Sequence, residues 1–163
     1  MSMKSFVSFI IVAFVFMMGC ATVPTSPGQS QRISAVIDAP KDKVWPLLVE
    51  EVGSKYPIQA IEKESGLITT KVVNIPVFQG NTLSYRRYVF IENAGARFSY
   101  EKLRMNMRIT AAEFEPGKTM ITINAYYEVY VINQAEQGTA WVTFPSNGSV
   151  ENEILTNIEI KIE

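Results

Sequence analysis

Apolar and polar positions alternate most regularly in two stretches. Leu103, Met105, Met107, Ile109 and Ala111 interleave with Lys102, Arg104, Asn106, Arg108 and Thr110, and residues 121 to 131 repeat the pattern with Ile121, Ile123, Ala125, Tyr127, Val129 and Val131. A period of two predicts half-buried antiparallel strands, joined here by Glu115-Pro116-Gly117-Lys118. Phe98 and Tyr100 have the opposite parity to Leu103 and Met105, which predicts a bulge near Glu101 and Lys102. A preceding strand is expected from Thr82 to Glu92, turning at Asn93 to Ala96.

Upstream, Ile33, Ala35 and Ile37 mark a short strand over 32 to 37, and Asp38-Ala39-Pro40 then opens a helix. Val44, Trp45, Leu48 and Val52 fall at helical spacing, Pro46 predicts a kink, and Gly53 predicts the stop. Ile58 to Glu62 and Leu67 to Val73 form an expected hairpin around Glu64-Ser65-Gly66. Downstream, a polar loop from Asn133 to Ala140 precedes a strand from Trp141 to Phe144. A C-terminal helix follows, with Ser149 as N-cap, Glu151 and Glu153 suiting its dipole, and Ile154, Leu155, Ile158 and Ile162 as its sheet-facing stripe.

These registers place Arg86, Tyr88, Arg104, Arg108, Tyr126 and Tyr130 on one outward face, with Arg108 near Tyr126 and Arg104 near Tyr130. Cross-strand Arg–Tyr pairs stabilise a sheet by about 0.2–1 kcal/mol each and need no ligand. Arginine and aromatics are also enriched in binding hot spots, which makes this face a candidate for docking a protein, an anionic headgroup or a glycan. A second candidate is the connection Asn74 to Asn81, where Ile75, Pro76, Val77 and Phe78 stand in a row. It reads either as a lip that enters lipid or a partner, or as a cover over the end of the core, and covering is the simpler expectation.

The N-terminal segment determines the expected address. An apolar run from Phe6 to Met18 follows Lys4; at about 13 residues it is shorter than the roughly 20 needed to span a bilayer and reads as a signal peptide. Met17-Met18-Gly19-Cys20 resembles the bacterial lipobox, with Met17 where that pattern usually has Leu. The resemblance implies cleavage before Cys20 and acylation of that residue. Residues 1–19 are then the signal, 20–31 a lipidated cysteine and tether rich in Pro, Ser, Thr and Gly, and 32–163 one domain. Eleven tether residues reach at most about 35 Å, so the domain works close to the membrane. Ala21, in place of the Asp that resembles an inner-membrane retention signal, favours the outer membrane.

Composition narrows the chemistry. Loss of 19 residues from 163 leaves about 144, the size of a single domain. The formal charge of −1 argues against nucleic acid. With no histidine and one cysteine, common transition-metal ligands and nucleophilic triads are lacking, and the scattered glycines form no phosphate loop. Glu62 and Glu64, beside Gly66, read as solvated turn residues. The chain is therefore expected to be non-enzymatic and to need no cofactor.

The order of strand, helix, antiparallel strands and closing helix is similar to the helix-grip fold, an α+β arrangement in which the sheet packs against an N-terminal and a C-terminal helix. Asp38-Ala39-Pro40 with Val44-Trp45, then Tyr56-Pro57-Ile58 and Glu62-Lys63-Glu64-Ser65-Gly66, resembles a domain of BamC, a lipoprotein of the outer-membrane β-barrel assembly machinery. The same opening resembles the START-like ligand-binding superfamily. The first resemblance implies an envelope protein as partner, with the membrane held through acyl chains on Cys20. The second implies an alternative, a carrier holding an apolar small molecule or lipid between sheet and C-terminal helix. BamC proteins have a long N-terminal segment and two such domains, against one short tether and one domain here. Met105, Met107, Tyr127 and Trp141 are expected to fill any START-like cavity.

Overall fold

A computed structural model describes residues 32–78, 82–91, 98–134 and 138–163. The elements follow in the order β1 (Arg32–Ile37), α1 (Lys41–Lys55), β2 (Ile58–Glu62), β3 (Leu67–Thr70), β4 (Val73–Ile75), α2 (Thr82–Arg86), β5 (Phe98–Glu115), β6 (Lys118–Asn133), β7 (Gly138–Phe144) and α3 (Ser149–Ile162). The two alternating stretches form the long hairpin β5–β6, turning at Gly117 with φ of 79°. This hairpin is the spine of one antiparallel sheet. Beside β6, β1 pairs with residues 119–124 and β7 with 127–133, so the two lie end to end. Beside β5, β3 and β4 do the same, and β2 lies outside β3.

The alternation becomes two unlike faces. Every odd-numbered residue from Leu103 to Ala111 and from Ile121 to Val129 is buried, and α1 and α3 pack side by side over them. Val44, Trp45, Leu48 and Val52 of α1 meet Ile154, Leu155 and Ile158 of α3 in one core. Each such side chain contributes about 1.5–3 kcal/mol on full burial. The fold is α+β, with helices on one side of a large antiparallel sheet.

Several sequence expectations hold in detail. β1 has the forecast bounds, the β5–β6 register shifts between Tyr100 and Lys102, and Gly66 turns the β2–β3 hairpin with φ of 67°. Others need correction. α1 continues past Gly53 to Lys55, because the true stop is Tyr56, held extended by the following Pro57. The expected strand from Leu67 to Val73 is broken: pairing of β3 with β5 ends at Thr69, and the Thr70 hydroxyl accepts the Met107 N–H at 2.8 Å in place of a ladder bond. β4 then resumes pairing at Val73.

Residues 82–91 are not a strand. They form the short α2 and a turn: Tyr85 and Val89, one helical turn apart, are both buried, while Leu83 is exposed. Tyr85's hydroxyl donates to the Tyr100 carbonyl at 2.8 Å, which fastens α2 over the sheet. The expected turn at 93–96 lies outside the described residues. β7 begins at Gly138 and so takes in much of the expected loop. Ser149 is the first residue of α3 rather than its cap; the left-handed Gly148 precedes it, and the Ser149 hydroxyl donates to the Arg87 carbonyl.

Candidate functional site

The face of the sheet opposite α1 and α3 carries the candidate residues from β5, β6 and β7. Register sets Lys102, Tyr130 and Trp141 in one cross-strand row and Arg104, Glu128 and Thr143 in the next. Arg104 Nε meets Glu128 Oε2 at 2.8 Å, and its guanidinium carbon lies 4.0 Å from the centre of the Trp141 ring. Tyr130 and Trp141 rings are 5.3 Å apart, and Lys102 Nζ lies 5.8 Å from the Tyr130 ring. The outcome is a layered stack of cation, indole and phenol, half-exposed and held by the pleat. Each surface contact contributes at most about 1 kcal/mol.

This differs from the expected pairing in a definite way. Arg104 lies opposite Glu128 and Arg108 opposite Asn124, a shift of two residues from Tyr130 and Tyr126. A two-residue shift preserves the facing of every side chain, so Arg104, Arg108, Tyr126 and Tyr130 still share the outer face, but their direct partners change. Trp141, expected inside, completes the outer stack. Tyr126 stands opposite Asn106 on the same face and is exposed.

Two expected members leave the group. Arg86 and Tyr88 sit on and just after α2, on the helix side of the sheet, where their backbone carbonyls accept from Asn147 Nδ2 at 2.8 Å and Asn147 N–H at 3.0 Å. Tyr88 packs toward Tyr127, with ring centres 6.5 Å apart. The apolar connection divides: Ile75 and Val77 pack against the core, while Phe78 projects outward. Cys20 and the tether lie outside the described residues.

Below the sheet, Met105, Met107 and Tyr127 are buried between it and the helices. Two buried glutamates there have opposite environments. Glu51 on α1 receives Asn157 Nδ2 and Lys55 Nζ, each at 2.8 Å, and Lys161 Nζ at 3.0 Å. Burial would raise its pKa, but these three partners outweigh it and hold the carboxyl at about 2.

Glu151, in the first turn of α3, is completely buried, and neither of its carboxyl oxygens has a hydrogen-bond partner; nor does the Tyr127 hydroxyl. Burial pushes Glu151 above the usual carboxylate range. The nearby Ser146 hydroxyl and Ala125 backbone offset only part of that rise. Lys55, at the end of α1, is held by Glu51 and Glu153. A first-turn Glu reads from sequence as a solvated dipole partner, and nothing in its spacing revealed this burial.

Among the described residues no group of three or more His, Cys, Asp or Glu is arranged to hold a metal ion, and no helix is long and apolar enough to cross a membrane. Searches of protein-family models and of curated proteins find no match to this chain.

Proposed function

We propose that the chain is a bacterial envelope lipoprotein, acylated at Cys20 and held near the outer membrane, whose single helix-grip-like domain binds an envelope protein without catalysing a reaction. The observation that carries this reading is the Arg104–Trp141–Tyr130 stack. It lies on the sheet face turned away from α1 and α3 and is assembled from residue types that dominate binding hot spots. The face carries a small excess of positive charge among the described strands: Arg32, Lys102, Arg104, Arg108 and Lys118 share it with Glu62, Glu115 and Glu128, in a chain of net charge −1. An acidic surface on the partner matches it. The lipobox-like Met17-Met18-Gly19-Cys20 supports the anchor. The carrier alternative gains little support, since Met105, Met107 and Tyr127 occupy the space such a ligand would need.

The test is purification of the tagged full-length protein from its own membranes, with Arg104→Ala and Tyr130→Ala introduced together. Loss of a co-purifying envelope protein with an unchanged circular dichroism spectrum is the expected result. Unchanged co-purification rejects this face as the site. A monomer carrying a stoichiometric lipid beyond its acyl chains returns the carrier reading.

A further inference from the structure

The sheet has a gap along β6. Among the described strands, pairing with β1 ends at Asn124 and pairing with β7 begins at Tyr127, so Ala125 has no strand beside it on the side away from β5. Glu151, in the first turn of α3, reaches the Ala125 backbone there, and Ser146, Glu151 and Tyr127 come together as three completely buried polar side chains. The Ser146 hydroxyl acts on both the carboxyl and the phenol, and its oxygen already accepts the Gly148 N–H at 3.0 Å. It has one proton for two claimants. Neither Glu151 oxygen nor the Tyr127 hydroxyl completes a hydrogen bond.

The turn that carries Ser146 is also a clasp. Phe90 N–H donates to the Pro145 carbonyl at 3.0 Å and Asn147 N–H to the Tyr88 carbonyl at 3.0 Å. Asn147 Nδ2 donates to the Arg86 carbonyl at 2.8 Å, and Ser149 Oγ to the Arg87 carbonyl at 2.6 Å. Val89 bridges to Ser146 itself, so the segment 86–90 is fastened directly over the buried cluster.

A carboxylate formed at Glu151 would need solvation that its surroundings do not supply. β6 faces it with Tyr127, the end of α1 with Tyr56 and Lys55, the turn after α2 with Tyr88, and α3 itself carries Glu153. The cations on these elements serve other groups: Lys55 is held by Glu51 and Glu153, Arg87 lies 5.9 Å from the Tyr88 ring, and Arg86 acts on Tyr100. An unpaired buried charge is strongly disfavoured. Water stands at the exposed Ser149, in the same helical turn.

We infer that the turn at residues 145–149 is a pH-gated latch. When Glu151 gives its proton to water, the first turn of α3 and residues 145–149 lift from β6 to hydrate the carboxylate, and residues 86–90 lose their clasp. Reprotonation closes it. Tyr85 keeps α2 attached through Tyr100, and β5, β6 and α1 keep their packing, so the step uncovers Val89 and the gap at Ala125. The latch belongs to the helix side of the sheet and is separate from the Arg104–Trp141–Tyr130 face.

Hydrogen exchange of the full-length protein, read by mass spectrometry and corrected for the intrinsic effect of pH, tests it. Peptides covering 86–90 and 145–149 are compared with one covering 103–111. Opening of the first two is expected to increase about ten-fold from pH 5 to pH 8, while 103–111 stays about ten-fold or more better protected at both. Glu151→Gln is expected to remove the increase. Asn147→Ala with Ser149→Ala keeps Glu151 and loosens the clasp alone, so it serves even if Glu151→Gln does not fold: it should open 86–90 about ten-fold at pH 5 and leave 103–111 unchanged. The latch is overturned by exchange of all three peptides in step, by no increase in the wild type, by an increase that persists in Glu151→Gln, or by unchanged protection of 86–90 in the double variant.

Discussion

Asn157 on α3 donates to Glu51 on α1 across 2.8 Å, and through that bond the two helices that cover the sheet share one buried carboxylate. Lys161, one turn further along α3, reaches the other oxygen at 3.0 Å. The pair therefore locks the relative position of two elements more than 100 residues apart in the chain. Glu51→Ala removes the acceptor for all three donors and is expected to destabilise the fold by about 2–3 kcal/mol. Urea denaturation at pH 7 measures it.

The same carboxylate predicts the acid limb of stability. Its folded pKa of about 2 lies below the ordinary 4.5, so the unfolded chain binds the proton first as pH falls. The contribution is complete above about pH 4.5 and is lost progressively toward pH 2. Glu51→Gln should flatten this limb in a melting-temperature profile, and an undiminished acid limb in that variant would remove Glu51 as its cause.

Glu151 predicts the opposite slope. Its folded pKa is raised, so the folded state holds the proton over the window above the ordinary value, and stability declines as pH rises through that window. Glu151→Gln keeps the shape without the ionisation. Its melting temperature is expected to exceed wild type by on the order of 5 °C at pH 8 and to match it near pH 4. A constant difference across that range would point to packing instead of charge.

Two glycines separate conformational strain from collision. Gly66 and Gly117 both have positive φ, but a Cβ on Gly66 would overlap the Ala111 carbonyl oxygen, whereas Gly117 has open space. Gly117→Ala is expected to cost about 1 kcal/mol from backbone conformation alone. Gly66→Ala should cost about 3 kcal/mol or more, because the β3–β5 pairing must also shift. Equal losses in chemical denaturation would mean that the Ala111 strand yields freely.

Met107 lies in the middle of β5, and its side chain has no route to solvent. Met107→Ala leaves a void between the sheet and the helices and is expected to cost about 2–5 kcal/mol. If apolar dyes or fatty acids bind this variant and not the wild type, the space occupied by the native side chain is what separates this fold from a carrier.

Where one face of an element is buried, the sequence was informative. Strict alternation in residues 103–111 and 121–131 and the parity break at Glu101 foretold the two faces and the bulge. The apolar stripe of α3 foretold its docking face. Residues 82–91 were ambiguous because Leu83, Tyr85 and Val89 satisfy a period of two while Tyr85 and Val89 also satisfy a helical turn; contact with Tyr100 decided between them. The partners of Arg104 and Arg108 were hidden for a different reason. Sliding a strand by two residues leaves every side chain on its face, so hydrophobic pattern carries no information about it, and the second bulge between Glu113 and Glu115 helps set the offset. Trp141 was misplaced because alternation in the short β7 has no fully buried positions to anchor it. The burial of Glu151 depends on how the start of α3 meets β6, which no local spacing encodes.

Among the described strands β1 pairs on one side only, through six register pairs with β6 and the Ser34–Thr122 hydroxyl contact of 2.8 Å, and its Ile33 packs close to Gly148. It is also the first described element after the segment that carries Cys20. If Cys20 is acylated as proposed, tension between a membrane and the domain reaches this strand before any other described element. Force along the strand loads all six pairs together as a shear joint, whereas force across it opens them one at a time from Arg32. The mechanical strength of the attachment is thus set by the direction of pull as much as by the stability of the fold.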